Sequence, residues 1–551
     1  MSKVNSWIKS GAPWVWLNAA AVSCCILLVL GLMLMIAVPG FGHFWPSKIH
    51  EIVTQDDQSR TVLAGQIQDR EEVSAQRLRE SGLSVPESYD SVRRYLIKVG
   101  NRDLSGQDFV WVPELIIAQR SQPLALVVLE REEWGNFYGY LLGLKEDNSL
   151  ITMATAWEDF QQRLERTSSL RDQISDLEKG RIGSINYRLE RLRLRERRLE
   201  LKGEQDPRAF AEIEEERVAL GEEYELLEQD LLALNEEIRR DAALMRTASG
   251  EEVEIPLYTI LDAFKPNTMG LWGSMGHFFK KSWQFIVEDP REANTEGGIF
   301  PAIYGTVMMV LLMSVFVTPF GVVAAVYLKE YARQGLLTRI IRVAVNNLAG
   351  VPSIVYGVFG LGFFIYTLGG SLDRLFFPEA LPSPTFGTGG LFWASLTLAL
   401  LTLPVVIVST EEGLARIPRT IREGSLALGA TRWETLWRTV LPMASPGIMT
   451  GMILAVARAA GEVAPLMLVG VVKLAPSLPL DGNYPFLHPE RKFMHLGFHI
   501  YDVGFQSPNV EAARPLVYAT ALLLVCVTVL LNLTAIRVRN RLREKYRGLE
   551  T

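Results

Sequence analysis

Six apolar runs, each long enough to cross a bilayer, alternate with polar segments along this chain. They cover residues 16–38, 303–328, 343–368, 391–408, 448–472 and 516–536. A helix rising 1.5 Å per residue needs about 20 such residues to span the hydrocarbon layer. The first run ends at Pro39 and Gly40, is longer than the apolar core of a signal peptide and lacks a small-residue cleavage site. It predicts a retained membrane helix, so that residues 1–45 hold a short N-terminal tail and the first span.

Between the first two runs lies a strongly polar stretch, 46–290, in which the hydrophobic period changes twice. Residues 95–99, 109–112, 124–129 and 137–142 are short β-rich runs separated by Gly, Asn, Asp and Pro, which predicts a small β domain. From about 157 to 246 the period becomes helical. Leu170, Ile174 and Leu177 are followed, after a skip at Gly180 to Gly183, by Ile182, Ile185, Leu189, Leu192 and Leu199. A second series runs through Ile213, Leu220, Tyr224, Leu227, Leu231, Leu234 and Ile238, with a turn at 203–207 between the two. This predicts an antiparallel coiled-coil hairpin with arms of about 60 Å. Residues 251–260 regain strand character and return to the β domain. The hairpin's stripe serves equally a stalk or a docking arm for a partner protein.

Charge then orients the chain. The overall balance of −6 with 48% hydrophobic and 21% charged residues averages over two populations, and it excludes a single soluble globule. Basic residues cluster after the second run (Lys329, Arg333, Arg339, Arg342), after the fourth (Arg416, Arg419, Arg422, Arg432, Arg438) and in the tail (Arg537, Arg539, Arg541, Arg543, Lys545, Arg547). With the N-terminus inside, all three fall in the cytoplasm, as the positive-inside rule requires. The insertion and the loop 473–514 then lie outside, and both termini, including the basic tail 541–551, lie within. The three cysteines (Cys24, Cys25, Cys526) all sit in apolar runs and imply no disulfide framework.

Residues 411–445, between the fourth and fifth runs, form two short amphipathic segments. Glu423, Leu426 and Ala427 share a helical spacing, Gly429 breaks it, and Trp433, Leu436, Trp437 and Val440 repeat on one face of a second helix that Pro442 is expected to stop. Such a helix pair is a knob for another protein's groove. It resembles the EAA loop of ABC-transporter permeases: Glu423, the small Gly424 and Ser425 where alanines are usual, Gly429-Ala430 six residues on, and Leu441-Pro442. An ordinary surface helix pair is the plainer reading.

Arg458 and Glu462 lie near the middle of the fifth run, four residues apart on one helix face. An ionisable group at that depth costs about 3 kcal/mol on insertion scales and faces a pore or a partner. Arginine suits an oxyanion because its planar donor fork matches phosphate and stays charged when desolvated. A carboxylate accepts a hydrogen bond from hydrogenphosphate and repels sulfate. The alternative is an ion pair that only closes on itself.

Four stretches then resemble one family, the A-type permease subunit of phosphate-specific ABC transporters. They are 296–305 (Glu-Gly-Gly-Ile-Phe-Pro-Ala-Ile-Tyr-Gly), 351–357 (Val-Pro-Ser-Ile-Val-Tyr-Gly), 457–466 (Ala-Arg-Ala-Ala-Gly-Glu-Val-Ala-Pro-Leu) and 502–514. Ala464-Pro465 favours the A-type over the C-type, and Val463 departs from a common Thr. The resemblance covers about 290–540 and the first span. It implies a mainly α, six-helix type I importer permease over 291–540, carrying the β domain and hairpin as an extracytoplasmic insertion.

It further implies a bacterial inner-membrane subunit that translocates inorganic phosphate through a path including Arg458 and Glu462. The implied partners are a C-type permease subunit, a cytosolic ATPase dimer seated on Glu423, Gly424, Ser425, Gly429, Ala430, Leu441 and Pro442, an external phosphate-binding protein, and membrane lipid. No Gly-x-x-x-x-Gly-Lys-Ser/Thr cradle occurs, so ATP is expected to be used by the partner, with no cofactor, metal or catalytic residue in this chain. His495 and His499 lack the intervening Glu of a zincin, and the alternating charges of the hairpin read as solvated faces, not a nucleic-acid patch. The rival readings are a permease for sulfate or molybdate and a membrane-anchored sensor.

Overall fold

The computed structural model describes residues 10–547, apart from 56–59, 81–84, 87, 148, 152–155, 205 and 508–509. Among them six helices are long and apolar enough to cross a membrane: Trp14–Gly42, Phe300–Tyr331, Ser353–Phe376, Leu391–Ala415, Arg432–Gly461 and Ala513–Glu544. The fourth is the centre of the bundle. Its Leu391, Ala394, Leu398, Leu401 and Val406 are buried against Met309, Met313 and Val317 of the second and Ala455 and Ala459 of the fifth. Lipid offers no hydrophobic drive between helices, so close backbone approach through small residues does the packing. The first helix is exposed along most of its length and meets the last where a Cβ on Gly40 would come 3.0 Å from the Tyr518 carbonyl oxygen.

Two spans start well away from their sequence expectation, and the fourth and sixth run on past their expected ends, to Ala415 and Glu544. The third does not run unbroken from 343. A helix Leu336–Leu348 ends, and the span proper starts at Ser353. Pro352 has no N–H to continue the ladder and forces Val351 out of helical geometry. One carbonyl freed by this break, that of Leu348, accepts a 2.7 Å hydrogen bond from the Tyr356 hydroxyl. The fifth is also shifted: it starts at Arg432 and ends at Gly461, not 448 and 472. Pro442 does not stop the preceding helix. A wide, π-type turn over Leu436–Val440 opens the ladder just where the proline ring would meet the carbonyl four residues back, and the helix passes through.

The insertion is built from two antiparallel sheets. β1 (Ile49–Gln55), β2 (Arg60–Ser74), β3 (Ser91–Lys98), β4 (Phe109–Pro113) and β5 (Ile117–Ser121) form the first, in the order β4-β3-β2-β1-β5. β6 (Val127–Arg131), β7 (Phe137–Glu146), β8 (Ser149–Ile151), β9 (Asp241–Arg246), β10 (Glu252–Pro256) and β11 (Ile260–Phe264) form the second, in the order β10-β9-β7-β6-β11 with β8 on β7. β1, β2, β5, β8 and β9 have no counterpart among the sequence-predicted runs. Residues 241–246, assigned above to the end of the coiled coil, are the strand β9, because Ala243 and Met245 alternate into the second sheet's core.

The hairpin leaves this sheet after β8 and returns into β9. Its first arm runs through Ala156–Ser175, Asp176–Ile182 and Gly183–Lys202, its second through Pro207–Ile238. The middle piece is a π-type turn, whose extra residue per turn absorbs the skip seen in the hydrophobic repeat at Gly180 to Gly183. Ile185, Leu192, Ile213, Leu220 and Leu227 are the buried seam. Gly203 turns the chain at φ 69°, and Asp206 caps the second arm by accepting from the Arg208 N–H. Phe160 and Leu164 root the first arm in the sheet core, and Arg163 bonds Asp241 at 2.7 Å and Glu146 at 2.9 Å.

The last part of the insertion is not a plain linker. Leu271–Val287 is an amphipathic helix beside the end of the first span, where Phe278 and Phe285 pack against Phe41, Phe44 and Trp45. Its Lys281 bonds Glu130 and Asp262, both at 2.7 Å, fastening it to the second sheet.

Candidate functional site

The segment 411–445 folds as a bent helix pair at the bundle end that also carries the basic tail. Its first helix, Arg419–Ala427, starts after Pro418 and ends at Gly429, which takes φ +88° with open space around the position of a Cβ. Thr431 and Glu434 then form a capping box, with bonds of 3.2 Å from the Glu434 N–H and 2.9 Å from the Thr431 N–H. Ser425 and Thr435 join the two helices through their hydroxyls, 2.9 Å apart.

The predicted single face of the second helix divides in two. Leu436 and Val440 are buried with Leu414 and Ile417, whereas Trp433 and Trp437 are each 61% exposed and stack with ring centroids 5.8 Å apart. Leu428, just before the bend, stands 91% exposed, and Glu423 and Gly424 are also on the surface. Leu441 and Pro442 are half-buried inside the continuous helix. The result is a rigid apolar knob joined without a break to the fifth span.

Arg422 anchors this knob. Its guanidinium donates to the carbonyls of Ile417 and Leu414, both at 2.9 Å, and to Glu330 of the second span at 2.8 Å. Arg342 reaches Glu411 at 3.4 Å across the same end of the bundle. Sequence reading counted Arg422 and Arg342 only as topogenic charge. The carboxylates that hold them lie 92 and 69 residues away, and no local signal pairs them.

Arg458 and Glu462 do come together, with Nε and Oε1 3.5 Å apart. Glu462 lies just past the helix end, in extended geometry after Gly461, rather than on the helix itself. Their depth follows from the packing of the fourth and fifth helices. A Cβ on Gly447 would come 2.7 Å from Gly413 Cα, and one on Gly451 2.8 Å from Ser409 Cβ. Continued along the antiparallel pair, this register sets Arg458 level with about Thr402, roughly 16 Å below the Leu391 end at 1.5 Å per residue. That is close to mid-height.

Other features meet at this level. Gly360 packs on Thr397, which brings the break before Ser353 and the buried Tyr356 to a similar depth, and Tyr356 lies within electrostatic reach of Arg458. Pro465 packs on Gly357, so closely that a Cβ there would come 2.7 Å from Pro465 Cα. Two interrupted helices, a partly exposed guanidinium and a carboxylate thus share the middle of the bundle. Broken helices at mid-depth are where transporters place ionic substrates. The 351–357 motif was legible in the sequence; its adjacency to Arg458 was not.

His495 and His499 have structural partners. His495 Nδ1 accepts from the Gly497 N–H at 3.1 Å, His499 Nδ1 lies 3.4 Å from the Thr520 hydroxyl, and burial pushes both imidazoles down to about 4. Among the described residues no group of three His, Cys, Asp or Glu side chains could hold a metal.

Residues 317–548 match the family model described as binding-protein-dependent transport system inner membrane component. Over 247 residues the chain is 36% identical to phosphate transport system permease protein PstA 1 of Mycobacterium tuberculosis (strain CDC 1551 / Oshkosh), covering 44% of this chain and 71% of that one. It is 40% identical over 188 residues to phosphate transport system permease protein PstA of Mycobacterium leprae (strain TN), covering 34% of this chain and 56% of that one. Among solved structures, an inward-facing MetNI methionine ABC transporter aligns with 48% of this chain and 98% of its own, at 19% identity and a TM-score of 0.32.

Proposed function

The chain belongs to the phosphate transport permeases of the binding-protein-dependent inner-membrane family, and from that membership we propose that it forms half of the pore of an ABC importer for inorganic phosphate. The observation that carries the reading is the match of the membrane-spanning half to phosphate permeases, at 36% identity over 71% of a relative's length. It is a multi-pass inner-membrane transport subunit. ATP hydrolysis falls to a separate ATPase.

The basic end of the bundle lies in the cytoplasm, with both termini, and the insertion lies outside. The knob of Leu428, Trp433 and Trp437 seats in a groove of the ATPase dimer, with Glu423, Gly424, Ser425, Gly429 and Ala430 forming its first helix and bend. The second half of the pore is a C-type permease subunit, and an external binding protein delivers phosphate. Because the helix is continuous from Arg432 to Gly461, the stacked tryptophans and Arg458 sit at opposite ends of one lever. Leu441 and Pro442 lie within it and transmit the motion. Displacing the knob during nucleotide-driven closure moves Arg458 and Glu462 at mid-membrane, which converts ATP binding into a change of access. Arg458 offers its donor fork to the phosphate, and Glu462 takes a hydrogen bond from the protonated oxygen.

The test is labelled phosphate uptake in cells lacking their own high-affinity system, with companion subunits co-expressed and sulfate as competitor. Uptake should resist excess sulfate and fall at least tenfold in Arg458→Gln at normal membrane levels. Sulfate competing equally would replace phosphate with a broader oxyanion, and uptake unchanged in Arg458→Gln would reduce the pair to a structural one.

A further inference from the structure

The joint at which the fourth span, the coupling hairpin and the fifth span meet borders an open cleft of about 520 Å³. Its volume falls in the range of small-molecule sites. Arg416, one residue past the fourth span, lines it with Glu412 and Pro418, together with Gly447 of the lever and Arg539 and Arg543 of the last helix. Arg539 and Arg543 are four apart and share a helix face. None of the three guanidiniums has a carboxylate within 4 Å, or any hydrogen bond, among the described residues. Three positive groups, Arg416 and Arg543 exposed and Arg539 half-buried, therefore line one open cleft with a single carboxylate, an excess of two charges.

Positive-inside topology explains why arginines are numerous at this end, but not why three line one cavity unpaired. Arginine's fork of donors favours phosphate over a simple halide, and Glu412 can accept from a hydroxyl of the ligand. We propose that this cavity binds a phosphate group, either free inorganic phosphate or the headgroup of an anionic lipid, distinct from the path at Arg458. A ligand there ties the root of the coupling hairpin (Arg416, Pro418) and the lever (Gly447) to the last helix. It holds the joint in the arrangement seen here and slows the lever's movement. If the source is free phosphate, transported product collecting in the cytosol restrains further import, a consequence that rests on the importer reading; the site itself does not.

The experiment uses the assembled complex, purified in phosphatidylcholine nanodiscs without nucleotide, in an Arg458→Gln background so that the transport path does not contribute. Equilibrium dialysis with labelled inorganic phosphate compares this protein with one also carrying Arg539→Gln and Arg543→Gln. A second arm counts phosphatidylglycerol retained through delipidation. Saturable phosphate binding weakened at least tenfold by the double substitution supports the site with free phosphate as ligand. Phosphatidylglycerol retention lost in the same variant supports it with a lipid headgroup. The charge-preserving pair Arg539→Lys and Arg543→Lys should restore part of either signal, which excludes misfolding. Equal phosphate binding and equal lipid retention in parent and variant would overturn the proposal. Uptake by the protein with native Arg458 tests the importer reading separately.

Discussion

Arg422 of the helix Arg419–Ala427 bonds Glu330, at the end of the second span, at 2.8 Å, and the same guanidinium holds the carbonyls of Leu414 and Ile417. The side chain thus ties the start of this helix pair to both the fourth and the second span. Hydrogen bonds from a charged donor are worth about 1.5–3 kcal/mol each in local stability. Arg422→Ala should leave the complex assembled but raise ATP hydrolysed per phosphate imported several-fold. The exchange Arg422→Glu with Glu330→Arg should recover less than half of the loss, since neither carbonyl regains its guanidinium donor. An unchanged coupling ratio in Arg422→Ala would remove this residue from the linkage.

Gly424 and Gly429 are five residues apart and make opposite predictions. Gly429 sits at φ +88°, where a side chain is strained by about 1–2 kcal/mol, whereas Gly424 is helical with open space about it. Gly429→Val should lower uptake at normal pull-down of the ATPase. Gly424→Ala should be neutral, or stabilise by about 0.5–1 kcal/mol in thermal unfolding. Equal behaviour of the two variants would contradict the assignment of Gly429 as the bend.

The insertion's hairpin is fastened to the loops of the bundle. Arg198 Nε donates to Glu379 at 3.0 Å, with a second contact from Nη2, and the Tyr187 hydroxyl donates to the Tyr484 carbonyl at 2.8 Å. Burial alone would raise the Glu379 pKa, but the bonds from Arg198 hold the carboxyl below its ordinary value. Removing the half-exposed arginine takes the charged donor from a buried carboxylate, at a cost of about 1–2 kcal/mol after solvent screening. Arg198→Ala should speed tryptic cleavage within 183–202 and lower the unfolding midpoint; Glu379→Gln should do so less. Identical proteolysis of Arg198→Ala and parent would show the hairpin to be held elsewhere.

Acid should loosen the same end of the molecule. His495 and His499 are pushed down to about 4 by burial, while in the unfolded chain they titrate near 6.5. The unfolded state therefore binds more protons between those values. Stability from this source is complete above about pH 6.5 and is lost as the pH falls toward 4. Carboxylates add their own acid loss, so the informative quantity is the difference between variants. His499→Gln should flatten the fall of the unfolding midpoint between pH 7 and 4. A parallel fall in parent and variant would sink this account.

The number of spans, the β character of the insertion and the hairpin seam were legible because each is periodic over many residues. Leu220 and Leu227 show their seam spacing whatever surrounds them. Arg458 and Glu462 were legible for a different reason, since charge inside an apolar run stands out wherever it falls. What escaped were outcomes of competition between local rules and packing. Pro442 reads locally as a stop, yet a π-type turn carries the helix past it, and 241–246 reads as a continuing helix until β7 is beside it. Whether Glu330 meets Arg422, or Arg416 shares a cleft with Arg539, depends on contacts between residues far apart in the chain, 92 residues in the first case. Sequence alone determined which residues must leave water and at what local period. Tertiary structure decided which of them meet, because a pairwise contact is a property of two helices' register and neither helix encodes it alone.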